Sequence, residues 1–232
     1  PHLHFGEISP NQVWHAAAPS RPVSADAASF RRELGWREFS AYLLYHYPQM
    51  PTENLRPRFD RFPWLGESET LAAWQQGATG IPLVDAGMRE LWQTGWMHNR
   101  VRMIVGSFLV KNLLLDWRLG AQWFWECLVD ADLASNSSGW QWVAGSGADA
   151  SPFFRIFNPV VQGKRFDGAG EYVRRYVPEL ARVPDKYVHC PWEAPDAVLA
   201  AAGVELGVQY PKPVVSLKIS RENALAALAS LK

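Results

Sequence analysis

The sequence predicts an all-α fold, and three observations carry that prediction. Apolar residues recur with a helical period along most of the chain, alternating runs bounded by turn signals are nearly absent, and capping signals such as Ser9-Pro10 precede apolar-periodic segments. With 48% of its 232 residues apolar, the chain can bury a core without metal or disulfide support. It reads as one helical domain over residues 1–232.

Ser9 at the N-cap and Pro10 at the first helical position open a helix through Gln12, Val13, Trp14 and Ala17, after which Pro19 to Ala25 reads as a loop. A second helix, about Ala27 to Tyr47, sets Phe30, Leu34, Phe39, Leu43 and Tyr47 near one stripe and stops at Pro48. Pro48 to Pro63, which carries Arg56, Arg58 and Arg61, reads as an irregular, mildly basic surface loop. Glu67 to Gln76 is a short helix ended by Gly77 and Gly80. Asp85 is expected to cap a long helical element reaching about Leu115. A further helix, Ala121 to Val129, runs into the Asp130 to Gly147 segment, and Ser151 to Gly170 is punctuated by Pro and Gly. Ala169 to Tyr176 and Pro195 to Ala202 are short helices, and the Ala/Leu-rich tail from Ser220 to Leu231 has Ser at a capping position.

Composition excludes several classes. Lys+Arg and Asp+Glu each count 23, so there is no global field to gather polyanions, and any nucleic-acid contact needs a local patch. Cys127 and Cys190 form neither a disulfide framework nor a thiolate metal site, which points to a reducing, cytoplasmic setting. The longest strongly apolar stretch, Met103 to Leu115, is interrupted by Ser107, Lys111 and Asn112 and is too short to cross a bilayer, so no membrane partner is expected. The start, Pro1 to Gly6, lacks a basic n-region and reads like a cut inside a longer chain. The outlier is tryptophan, with 12 residues.

Familiar motifs return little. Gly145-Ser146-Gly147-Ala148-Asp149-Ala150 fits a loose dinucleotide turn, but no apolar strand precedes it and Ser151-Pro152 follows where a helix is needed. Ser146 lacks the flanking glycine of a nucleophile elbow because Ala144 occupies that place. His2 and His4 have no third ligand nearby, and Asp130 to Asn136 lacks the glycine and closing Glu of a calcium loop. No metal is expected.

Two segments stand out. On a continuous helix after Asp85, Trp92, Trp96, Asn99 and Met103 share one face, bracketed by Arg100 and Arg102: rings for stacking, an amide for a base edge, guanidinium for anionic oxygens. In Asp130-Ala131-Asp132 two carboxylates stand in apolar surroundings and need cationic or N–H partners, for which Arg102 or the donors of a polar heterocycle are candidates.

Glu33-Leu34-Gly35-Trp36-Arg37-Glu38-Phe39, Gly95-Trp96-Met97-His98-Asn99-Arg100-Val101-Arg102-Met103, Asp130-Ala131-Asp132, and Gly139-Trp140-Gln141-Trp142 through Phe154-Arg155-Ile156-Phe157-Asn158-Pro159 resemble, in order, segments of the photolyase/cryptochrome family. The resemblance covers essentially the whole chain and corresponds to the family's multi-helix FAD-binding domain, without its amino-terminal α/β antenna half or the flavin-phosphate loop. Within the family the match is expected to lie nearest the class I cyclobutane pyrimidine dimer photolyases. It implies a light-driven DNA lyase in which excited reduced FAD gives an electron to a flipped-out dimer and regains it, with a cryptochrome-like photoreceptor as the alternative. The implied substrate is double- or single-stranded DNA containing such dimers, and the implied state is a monomer. A folate or deazaflavin antenna would sit on the missing half.

By the same resemblance, Asn136 would stand at flavin N5, where plant cryptochromes carry Asp, a difference that favours repair over signalling. Asp130 would accept from the isoalloxazine or orient Arg102, Arg102 would place positive charge near the ring, and Asp132 would hold its other side. Phe30 and Arg37 would contact the cofactor, with Phe30 standing where relatives place Trp. Glu33 would touch both cofactor and lesion bases, and Asn99 would meet the cofactor and the lesion edge. Trp36 and Trp142 would flank the dimer and Met103 would pack on it. Trp140, Trp117 and Trp64 would form the electron relay. Arg100, Arg155, Lys164, Arg165, Arg174 and Arg175 are expected to rim the cavity and meet phosphates, with Gln162 in a turn at its mouth.

Overall fold

The computed structural model describes residues 1–17, 24–66, 69–149 and 154–231. Among the described residues twelve α-helices follow one another: α1 Pro10–Ala16, α2 Ala25–His46, α3 Glu69–Gln75, α4 Pro82–Thr94, α5 Asn99–Ser107, α6 Trp117–Cys127, α7 Leu133–Ala144, α8 Pro159–Phe166, α9 Glu171–Tyr176, α10 Asp185–Val188, α11 Asp196–Ala202 and α12 Leu217–Ala229. Among the described residues the only β-type pairings are two isolated bridges, so the all-α expectation holds. No helix among them is long and apolar enough to cross a membrane.

Several helix starts have a local cause. Ser9 accepts from the Gln12 amide and Gln12 reaches back to the Ser9 amide, a reciprocal cap on α1. Ser24 caps α2 two residues earlier than expected by accepting from the Ala27 amide; the expected loop before it falls mostly on residues 18–23, outside the described set, as do residues 67 and 68 at the expected start of the third helix. Asp116 caps α6, Asp132 caps α7 and Asn158 caps α8. The last two helices correct the reading of 130–147 as an unassigned segment and of Asn158 to Gly163 as a turn: one side-chain acceptor at each N-cap suffices to start a helix there. In the tail, Ser216 rather than Ser220 is the cap, and Ser220 is buried in α12, where it accepts from the Asn112 side chain at 2.8 Å.

The expected continuous element from Asp85 to Leu115 is not one helix. It stops at Gly95, whose φ of +67° is left-handed, and resumes at Asn99 in a new direction. A Cβ at Gly95 would lie 2.4 Å from Val129 Cγ1, so both the backbone angle and the neighbour require glycine. After α5 the chain passes through a π-helical turn, Phe108–Asn112, and then Leu114 at φ +53°. Periodicity is blind to such a break because each half keeps its own period.

The main core forms around α4, α5 and the π-turn, with Val84, Met88, Leu91, Ile104, Phe108 and Leu109 almost fully enclosed and Trp74, Trp117 and Tyr210 buried beside them. Pro48 to Pro63 is more than surface: Phe59 and Phe62 pack with Ala227 and Leu231 of the C-terminal segment in a second cluster.

Asp85 does not cap α4, whose N-cap is Ile81 without a side-chain bond. Its fully buried carboxylate instead ties the preceding turn and the C-terminal third together. It accepts from the Thr79 amide at 2.7 Å, the Thr79 hydroxyl at 2.6 Å, the Gly80 amide at 3.0 Å and the Tyr210 hydroxyl at 2.6 Å. Burial pushes the Asp85 carboxyl up from its ordinary value, while these donors and Arg89 pull it down. Asp85→Asn is expected to turn two of the acceptor positions into a clashing donor pair and to lower unfolding stability by about 3 kcal/mol, read as a reduced urea midpoint. An unchanged midpoint would mean that the four donors are satisfied elsewhere.

Candidate functional site

Three helix faces leave a cleft between them. On α2, whose only buried side chains are Ser40 and Leu43, the stripe Phe30, Glu33, Trp36, Arg37, Ser40 and Leu43 forms one wall. On α7 the wall is Asp132, Ser135, Asn136, Gly139, Trp140 and Val143, at spacings of three and four that put them on one helix face. Asn99, Arg102, Met103 and Gly106 of α5 form the third, and Leu128 and Asp130 close the end between α6 and α7. The cavity measures about 1010 Å³, at the upper edge of the roughly 300–1,000 Å³ of small-ligand sites.

The position of each side chain has a traceable cause. Asn136 Nδ2 donates to the Ala121 carbonyl at 2.9 Å, which pins the amide across the α6–α7 contact and leaves its oxygen as the free acceptor. One Asp132 oxygen is committed to its own helix, accepting from the Ser135 amide at 2.8 Å. Arg102 Nε donates to the Met97 carbonyl at 2.7 Å, and its Nη2 stands 3.9 Å from Asp130 Oδ1, an ion pair rather than a hydrogen bond. Burial lowers the Arg102 guanidinium from its ordinary value, opposed by Asp130 and then Glu90. Trp36 and Phe39 meet edge to face at 5.8 Å, and Trp36 is 48% exposed.

Trp140 is the buried floor. It meets Phe124 at 4.9 Å and Trp74 at 6.2 Å, both edge to face. Its ring lies over α6 only because residue 120 is glycine: a Cβ there would stand 2.1 Å from Trp140 Cη2.

Two features bear on a flat polar ligand. Asp130 Oδ1 is buried and has no hydrogen-bond partner among the described residues, an unmade interaction that the N–H groups of a heterocycle would complete. Gly139 lines the cleft, and a Cβ there would meet nothing within 4 Å, so the α7 wall stays low where a ring would lie. With apolar Phe30, Leu43, Phe124 and Trp140 around them, these residues fit a flavin-type dinucleotide.

A family model described as the FAD-binding domain of DNA photolyase matches residues 30–230. The chain belongs to the DNA photolyase/cryptochrome family. A deoxyribodipyrimidine photo-lyase of Agrobacterium fabrum is 58% identical over 100% of this chain and 49% of its own length. Cryptochrome-2 of Arabidopsis thaliana is 46% identical over 99% of this chain and 39% of its own. Among solved structures, a bacterial class III photolyase from Agrobacterium tumefaciens superposes with a TM-score of 0.95 at 57% identity, covering 100% of this chain and 48% of that one. The chain thus spans about half the length of these photolyases, or less in the cryptochrome. The expected nearness to class I is not confirmed; a strong structural match is to a class III member.

Against the family's expected site, the cleft gathers Phe30, Glu33, Trp36, Arg37, Asn99, Arg100, Arg102, Met103, Asp130, Asp132, Asn136, Trp140 and Trp142. Other expectations do not meet it. Trp92 is 70% exposed on α4 and stacks on Trp123 at 5.8 Å, and neither it nor Trp96 lines the cleft, because the break at Gly95 takes them off the face of Asn99 and Met103. Gln162 is half-buried on α8 and does not line it. Arg174 is occupied by the Ala169, Ala181 and Val183 carbonyls and by Asp185, and Arg175 lies over Tyr176, so neither is a cleft-rim cation. Arg155 borders a small crevice beside Trp142 instead, and Lys164 and Arg165 sit exposed on α8. Trp117 is fully enclosed, its Nε1 donating to Asn54 Oδ1 at 3.0 Å, and Trp64 is half-buried against Phe62.

Ser40, Ser135 and Gly139 are cleft residues that the sequence reading omits. The signal was available: with Asp132 as a cap, positions 132, 135, 136, 139, 140 and 143 form a helical stripe.

Alanine normally favours a helix interior by up to about 1 kcal/mol over glycine, but at position 120 the contact with Trp140 reverses the sign. Gly120→Ala is expected to destabilise by about 1–3 kcal/mol and to shift tryptophan emission as the ring leaves its seat. A stabilised variant with unchanged emission would refute the packing account.

Proposed function

We propose that this chain is the FAD-binding and lesion-binding part of a light-driven DNA lyase acting on cyclobutane pyrimidine dimers, of the class III rather than the class I type. The observation that carries the reading is the α7 face, where a neutral, pinned Asn136 amide stands between Asp132 and Trp140 in a cleft of about 1010 Å³. Photolyase relatives across the whole chain support the reaction class. When bound, reduced FAD supplies, on absorbing blue light, the electron that splits the dimer and receives it back.

The chain's own residues divide the remaining work. Asn136 offers its oxygen to a ring N–H and carries no titratable proton, so it holds that position without exchanging a proton. Asp130 accepts from the heterocycle, and Arg102 keeps positive charge beside it at the partly buried end of the cleft. Asp132, Phe30 and Arg37 flank the cofactor. Glu33 and Asn99 reach the lesion edge, with the exposed Trp36, Trp142 and Met103 as its apolar seat. Flipping a nucleotide out costs a few kcal/mol, least at a damaged step, so selectivity needs no base code. Trp140, Trp117 and Trp64 grade from cleft-lining through enclosed to half-exposed, the order a relay to the surface requires. The protein works as a cytoplasmic monomer, with a folate or deazaflavin antenna on the half outside this chain. Arabidopsis cryptochrome-2, 46% identical, supports the second reading, a blue-light photoreceptor without repair.

Dimer-containing DNA illuminated with blue light in the presence of the FAD-loaded protein and a reductant should lose its dimers. FAD bound without dimer loss would favour the photoreceptor. Trp140→Phe should abolish photoreduction of oxidised FAD while chemically reduced protein repairs at nearly the unsubstituted rate, because the relay charges the cofactor but lies outside the repair cycle. Photoreduction that persists in this variant would remove Trp140 from the relay.

A further inference from the structure

Lys111 is the buried cation that the proposed mechanism leaves unused. It lies in the π-helical turn at 2% exposure, and none of the ion pairs among the described residues involves it. Its Nζ donates to the Arg155 carbonyl at 2.9 Å and sits 4.0 Å above the Phe154 ring. Burial alone pushes the amine down to about 7. An unpaired buried ammonium is costly, and a methionine of similar length would fill the same space without that cost. Its two partners are neighbours on one short segment without regular secondary structure. That segment carries the exposed Arg155, whose guanidinium lies 4.6 Å over Phe157, and Phe157 in turn meets the Trp142 ring at 6.5 Å. Trp142 borders both the Lys111 crevice and the main cleft.

We propose that Lys111 is a positioning residue for DNA. Its ammonium, clamped between the Phe154 ring and the Arg155 carbonyl, fixes the Phe154–Phe157 segment so that the Arg155 guanidinium stays over Phe157, at the crevice that shares Trp142 with the cleft, where it meets a phosphate. The proposal rests on the reading of the cleft as a lesion site and deepens it. The chain has no net charge, so each placed cation counts, and a guanidinium on an unclamped segment spreads over many positions and loses most of its phosphate contact.

The test measures affinity for a dimer-containing duplex against salt, using the FAD-loaded protein, Lys111→Met, Arg155→Ala and the double variant. One phosphate contact contributes about 0.9 to the slope of log affinity against log salt. Lys111→Met should reduce that slope by nearly as much as Arg155→Ala, and the double variant should be no worse than Arg155→Ala, with flavin absorbance retained. Phe154→Leu, which leaves the lysine in place but removes the ring beneath it, should shift the slope in the same direction and serves alone if Lys111→Met does not fold. An unchanged slope in the single variants, or additive losses in the double, would overturn the proposal. Absence of salt-dependent preference for the dimer in the unsubstituted protein would overturn instead the reading of the cleft, and the proposal with it.

Discussion

The geometry of the cleft hangs on one clasp between two loops. The Val129 amide donates to the Gly95 carbonyl at 3.0 Å, and Gly95 has no side chain because Val129 occupies the space a Cβ would need. That contact ends α4, redirects the chain into α5 and sets the α6–α7 link alongside it. Arg102, one turn into α5, and Asp130, one residue beyond Val129, meet only because of it. Moving either loop by a few ångströms would separate a half-buried guanidinium from its counter-charge. Two partly desolvated ions are more stable together than apart, so the clasp and the ion pair select the same arrangement.

The ion pair is deliberately incomplete. At 3.9 Å the two groups feel each other's charge but do not exchange a hydrogen bond, and Arg102 spends its Nε on the Met97 carbonyl. Asp130 Oδ1 therefore remains buried and unsatisfied, a state that native interiors rarely keep without a ligand. Arg102 is held charged against its burial by Asp130 and, behind it, by Glu90, which itself accepts from the Tyr172 hydroxyl at 2.6 Å and the Tyr176 hydroxyl at 3.2 Å. Burial first, and then the same Glu90 contact, pushes the Tyr172 phenol far above its ordinary value, so the phenol keeps its proton and stays a donor to Glu90. Positive charge at the closed end of the cleft is thus a property of α4, α5 and α9 together.

Much of this was legible in the sequence where chemistry is local. Ser9, Pro10 and Pro48 mark helix ends by their own hydrogen-bonding and ring geometry, and the boundaries of the first two helices fall within two residues of expectation. Asp132 and Asn158 carry equally local cap signals. What periodicity could not show was direction: Trp92 and Asn99 keep helical spacing across Gly95, yet the chain turns between them, so one presumed face became two. Site residues quoted from the family's motifs mostly converge on the cleft, but the reasons for their poses lie far away in sequence. The Asn136 amide is fixed by the carbonyl of Ala121, and the Lys111 ammonium by residue 155, contacts that no window of neighbouring residues contains.

Tryptophan abundance now separates into distinct physical roles. Trp74 and Trp117 are wholly enclosed, and each indole N–H is spent on a buried acceptor, the Val105 carbonyl and Asn54, so they are core rings with satisfied polar ends. Trp36 and Trp142 keep partial exposure at the cleft, as stacking surfaces must. Trp140 belongs to both groups, buried against Phe124 and Trp74 on one side and lining the cleft on the other. Because its seat exists only through the absence of a side chain at Gly120, the same vacancy that lets the core close also brings the ring to the floor of the cleft, where the proposed relay would use it. Packing and the proposed electron supply therefore bear on one residue jointly, and a substitution at either position would test the fold and the proposed chemistry together.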